Sequence, residues 1–135
     1  MEIIHTIEAM KSKLIYVELK SGHNDNGPAW IGMGLYNRTG QTIYFNGKIF
    51  KNGKGVSSNH YDAESHEEYW ISGVKKDGTD RHQSGSGIIH IDESIVSDYC
   101  ELVGLSSLPK GKFRVVKLDN IPAKEKGTDI ANKKK

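Results

Sequence analysis

Residues 29–50, "AWIGMGLYNRTGQTIYFNGKIF", decide the fold. In the first half, Ile31, Met33 and Leu35 recur at every second position. That is the period of a strand whose side chains alternate between two faces. "RTGQ" supplies turn formers, and residues 42–50 return with Ile43, Phe45 and Ile49 aligned. The stretch predicts two antiparallel strands. Upstream, "KLIYVELK" (13–20) alternates in the same way, with Ile15, Val17 and Leu19 on one side. "SGHNDNGP" (21–28) is a loop of turn residues between them.

Further along, "KNGKGVSSNHYDAESH" (51–66) is polar and glycine-rich and is expected to be irregular. "EEYWISGVKK" (67–76) reads as a strand and "GIIHID" (87–92) as its hairpin partner, with "DGTDRHQSGS" as a wide tip. From 93 to 104 the period becomes helical: Ile95, Tyr99, Leu102 and Val103 form a stripe, Asp92 or Ser94 can cap its start, and Gly104 can close its end. "KFRVVKL" (112–118) is a last strand. Residues 1–12 form an N-terminal extension in which Ile3, Ile4, Ile7 and Met10 suit a helix or an added edge strand. Residues 119–135 form a flexible, lysine-rich tail. Short meandering strands of this number close so that no long edge stays open. The expected fold is mainly β: a small SH3-like barrel or strongly bent antiparallel sheet over 13–118, with one helix in its C-terminal half.

Composition limits the function. The chain has 135 residues, enough for one modest core. Its net charge of +2 is carried by the tail, where Lys124, Lys126, Lys133, Lys134 and Lys135 oppose Asp119, Glu125 and Asp129. Residues 1–118 are neutral overall, so a claim on nucleic acid rests on the tail. The one cysteine, Cys100, lies in an apolar stretch and is expected to be a buried thiol. No apolar run or signal-type segment is present, which points to a cytoplasmic protein without a membrane partner.

The two strand faces differ in character. Ile15, Val17, Leu19, Ile31, Met33, Leu35, Ile43 and Phe45 are assigned to one face. Tyr16, Trp30, Tyr36 and Tyr44 are assigned to the other, with either Tyr69 or Trp70 joining them. Two readings stay open for the second face. It is a minor core covered by the Tyr99, Leu102 and Val103 stripe, or it is partly open as an aromatic platform.

Catalytic signatures are weak. "SGSG" (84–87) lacks a Walker lysine and a following helix, so its glycines are read as hairpin conformers. His60, Asp62, Glu64 and His66 do not match common zinc spacings, and neither a metal nor a cofactor is expected. No GxSxG elbow is present. His23, Asn24 and Asp25 can meet Asp80, Arg81 and His82 if the loops cluster at one barrel end. The expected function is a non-enzymatic binding module for a protein partner, of inhibitor or immunity type. Trp30, Tyr44 and Trp70 would be its anchors, with Asn24, Arg81 and His82 giving polar specificity. The alternatives are a small hydrolase or nuclease using His82 with Asp80 or His23, and a nucleic-acid binder aided by the tail.

The blocks "GPAWIG", "YFNGK" and "YWISGVKKDGTDRHQSGSG" resemble those of a family of short bacterial proteins of uncharacterised function. The resemblance covers roughly residues 13–104 and implies a compact bacterial or phage-borne domain. Gln83 stands where the family pattern has an aromatic. Some relatives carry a deoxyxylulose-phosphate synthase label, but a thiamine-diphosphate enzyme needs far more chain than this.

Overall fold

The computed structural model describes residues 11–22, 27–55, 58–76 and 88–119. Six strands follow one another up and down: β1 (Lys11–Leu19), β2 (Ala29–Tyr36), β3 (Thr42–Phe45), β4 (Lys48–Asn52), β5 (His60–Asp62) and β6 (Glu68–Gly73). Each pairs antiparallel with the next, and β6 returns to β1, so the meander closes into a barrel. Closure leaves these strands no free lateral edge over the paired stretch. The chain then adds β7 (Ile89–Asp92), a 3-10 turn (Glu93–Ile95), helix α1 (Val96–Val103) and β8 (Phe113–Val116). β7 runs parallel to β2, and β8 parallel to β7. The expected mainly β fold, a small barrel with one helix in its C-terminal half, is what the chain adopts.

Register determines which side chains enter the barrel. Val17 sits opposite Trp30, Ile15 opposite Gly32, and Tyr16 opposite Ile31. Directly opposed residues share a face, so the face assignment of β2 is corrected. Trp30 and Tyr36 lie on the Ile15–Val17 side, while Ile31 and Met33 lie on the Tyr16 side. Gly34 explains the exchange: a Cβ there would stand 2.5 Å from Cδ1 of Ile15. Glycine on the inner side of β2 gives Ile15 its space. The interior is filled by Ile15, Val17, Ile43, Phe45, Phe50, Tyr69 and Ile71, with Leu19, Trp30 and Tyr36 packed against them.

Residues 42–50 form a hairpin rather than one strand. Asn46 and Gly47 both have positive φ, 49° and 75°, the pairing that type I′ hairpin turns require. The reversal turns Ile49 outward, where it is exposed. The stretch expected to be irregular contains β5 as well as the end of β4. β6 and β7 are not hairpin partners. Both edges of β6 are taken, by β1 and β5. β3 pairs with β2 only at Leu35 and Tyr36, so the first half of β2 is open to β7.

A second core forms on the outer surface of β1 and β2. Tyr16, Ala29, Ile31, Ile89, Ile91, Ile95 and Tyr99 are buried together, and the Tyr99 and Phe113 rings lie 5.5 Å apart. The minor-core reading therefore holds around Tyr16, although Leu102 remains exposed rather than covering it. Cys100 is buried. Gly104, at φ 75°, ends the helix, with Leu105 N–H donating to the Cys100 carbonyl at 2.8 Å, as in a Schellman closure. Asp92 makes no side-chain cap bond to the helix start. Instead its buried carboxylate accepts bonds from the Ser94 hydroxyl and, at 3.1 Å, from the Leu118 N–H. Leu118 packs on the interior cluster, and Asp119 N–H donates to Asn46 Oδ1 at 3.0 Å. The chain after β8 thus crosses the barrel end that carries the β3–β4 turn.

Candidate functional site

The three ring-bearing anchors expected from sequence are not brought onto one surface. Trp30 faces the inner side at that same barrel end, its ring 6.1 Å from His90 and 6.4 Å from Tyr69. Beside it is a narrow cleft lined by Val17, Trp30, Phe45, Phe50 and Tyr69 together with Asn46 and Lys48. Burial, helped by Glu67 and Asp62, pushes the Tyr69 hydroxyl up to about 12. It stays protonated at neutral pH, and the charged group of the lining, Lys48, is paired with Asp62 at 3.4 Å. Asn24, Arg81 and His82 lie outside the described residues, as do His23 and Asp80.

Tyr44 and Trp70 point outward, on β3 and β6. Two residues missed by the sequence reading connect them. Ile49 is the direct cross-strand partner of Tyr44, which in turn partners Leu35. Tyr61 partners Lys51 on β4 and Glu68 on β6. It is therefore diagonal to both Ile49 and Trp70, within reach for large side chains on one face. Four adjacent strands each place one apolar or aromatic residue on this outer surface: Trp70, Tyr61, Ile49 and Tyr44. Trp70 is 39% exposed and Ile49 42%. The signal for Ile49 was the "NG" pair, which reverses the chain before it.

Next to Trp70 across the β1–β6 pairing lies Glu18, only 1% exposed. It accepts a hydrogen bond from the Tyr16 hydroxyl and pairs with Lys20 at 3.0 Å. A buried carboxylate held in this way fixes the sheet under the tryptophan.

The "HYDAESH" segment forms β5 and the turn that follows it. Among the described residues no group of three or more His, Cys, Asp and Glu side chains is placed to hold a metal ion. Burial pushes the Asp62 carboxyl up, but the Glu64 N–H, the Ser65 hydroxyl and the Lys48 ammonium outweigh it and hold the group below its ordinary 3.8. Asn59 extends β5 with its side chain: Oδ1 accepts from Ile71 N–H and Nδ2 donates to Ile71 O, both at 2.8 Å. With Oδ1 fixed as an acceptor, His60 Nδ1 must be the donor across their 2.9 Å contact. Ser58 donates to Glu68 at 2.7 Å, and both line a cleft with His60 and His66.

Burial holds His60 below its ordinary 6.5. The unfolded chain therefore takes that proton first, so its contribution is intact above pH 6.5 and declines as the pH falls from there. His60→Gln is expected to flatten the fall in unfolding free energy between pH 6.5 and about 5, read from urea melts at each pH. An unchanged pH slope in the variant would remove His60 as the cause.

Comparison of the chain with protein-family models, curated proteins and solved structures returned no match.

Proposed function

We propose that this protein is a non-enzymatic binding module that takes a protein partner on the outer surface of β3 to β6, in an inhibitor or immunity-type role. The observation that carries the reading is the continuous row Trp70, Tyr61, Ile49 and Tyr44 across four strands, with two members more than a third exposed. Scattered exposed apolar residues are ordinary, but contiguous ones mark contact surfaces, and Trp and Tyr are frequent energetic centres there. A rigid closed barrel presents such a row at little ordering cost on binding. The SH3-like description, a cytoplasmic setting and a bacterial or phage origin belong to the same reading.

The test is affinity capture with the full chain, repeated with Trp70→Ala and with Ile49→Ala/Tyr44→Ala. Loss of a residue at the centre of such an interface costs 2 kcal/mol or more, about 30-fold in Kd. Each variant is expected to lose the captured partner at an unchanged melting temperature. Trp30→Ala, which removes a ring packed on the interior cluster, is expected to lower the melting temperature instead. Capture that survives both outer-surface variants would reject this surface.

A further inference from the structure

Although residues 1–118 are neutral overall, the fold separates their charges. In an up-and-down barrel, the first residues of odd strands and the last of even strands share an end. That rule brings together Lys11 and Lys13 at the start of β1, Arg38 in the β2–β3 turn and Lys51 near the end of β4. Lys54 in the following loop and Lys76 beyond β6 lie there too. All six are exposed. Lys13 lies across Gly73, where a Cβ would meet its Nζ at 3.1 Å, so its side chain drapes over the barrel rim.

The described carboxylates are elsewhere. Asp62, Glu64 and Glu67 lie at the opposite end, around the β5–β6 turn, and four more lie on Asp92 to Glu101. Glu18 and Asp62 each pair with a lysine of that opposite end, Lys20 and Lys48. Asp119 is tethered there too, by its N–H to Asn46. Among the described residues, Glu68 reaches the cationic end through its bond with Ser58. Glu8 and Asp77 adjoin this end in sequence. Six exposed cations on one rim, with a single described carboxylate beside them, create a local positive potential that the net charge conceals.

We infer that this barrel end is a contact surface for the phosphate backbone of a nucleic acid. The spread of the charges over β1, two turns and the β6 exit matches a chain of phosphates better than one anion. Tyr36 lies on the inner side at this end, half-buried. Backbone contact of this kind is independent of base sequence and falls steeply with salt, because each neutralised phosphate releases counterions.

The experiment follows a fluorescein-labelled oligonucleotide, single-stranded and duplex, by anisotropy with the full chain between about 50 and 200 mM salt. Arg38→Glu/Lys54→Glu/Lys76→Glu is expected to weaken binding tenfold or more. It should also reduce the slope of log affinity against log salt by about 2, three contacts at roughly 0.7 each on a single strand. Its melting temperature should stay unchanged. Lys133→Glu/Lys134→Glu/Lys135→Glu should have the smaller effect, and Trp70→Ala none. The inference is overturned if wild type shows no saturable binding at the lowest salt, or if the barrel-end variant binds like wild type. It is also overturned if the terminal lysines account for the loss, or if Trp70→Ala abolishes binding. The last result would move nucleic acid onto the surface assigned above to a protein.

Discussion

Phe50→Ala is expected to lower the unfolding free energy by about 3–5 kcal/mol, the upper part of the range for deleting a core side chain. Phe50 is 1% exposed, and its ring meets Tyr69 edge-on at 4.8 Å. Its cross-strand partner Ile43 is buried too. The cost of a truncation depends on how far neighbours move into the space left behind. Here they are fixed to strands hydrogen-bonded all round the barrel, so the wall cannot collapse inward without breaking its ladders. A domain of this kind is stable by about 5–15 kcal/mol in total, so the variant should be partly unfolded at modest urea. Trp70→Ala, on the outside of the same sheet, should stay within about 0.5 kcal/mol of wild type. A Phe50→Ala loss no larger than that of Trp70→Ala would contradict the interior position of the ring.

The second large effect is steric and should be reversible by a second substitution. Gly34→Val is expected to cost about 1–3 kcal/mol through overpacking. The reason is space: the new Cβ would meet Cδ1 and Cγ1 of Ile15 at 2.5 and 3.1 Å, and Cγ2 of Ile43 at 3.4 Å. Ile15 is fully buried, so its tip has no solvent-facing position to occupy. Ile15→Ala alone should cost about 2–5 kcal/mol, as a cavity. Combined, the two changes should cost less than their sum, with a coupling of about 0.5–3 kcal/mol, because the valine fills part of what the isoleucine vacates. Strict additivity in urea melts would mean that the two positions do not share a space.

These residues also show what the sequence made legible. The alternation in "KLIYVELK" does put Ile15 and Val17 inside. In "AWIGMGLY" the same rule named the wrong face, because both surfaces of β2 are covered: one by the barrel interior, the other by Ile95 of the 3-10 turn and Tyr99 of α1. When both faces are apolar, period two shows a strand but not its orientation. Glycines 32 and 34 marked the inner side, since a crowded interior needs a strand without side chains at the contact. The Asn46-Gly47 pair is a legible hairpin signal, and it is this turn that separates β4 from β3 and directs Ile49 outward. The partner of β7 was not readable from local pattern, because it depends on which edge the other strands leave open. The same holds for Asn59, whose amide serves as an extra rung of the sheet and looks like any loop residue in the sequence. Charge balance misled for a related reason: it sums over the chain and is blind to which end of a barrel each turn occupies.

The seam between β1 and β6 has a consequence for how the molecule is made. Ile15 meets Gly73 across it, so β1, made before β6, waits for it before its second side is matched. Distant pairings of this sort slow the final step of folding. During that wait two unmatched borders face outward, and a neighbouring nascent copy can offer the same β1 to either of them. Exchange of the leading strand between two molecules is therefore the misassembly to which this architecture is most open.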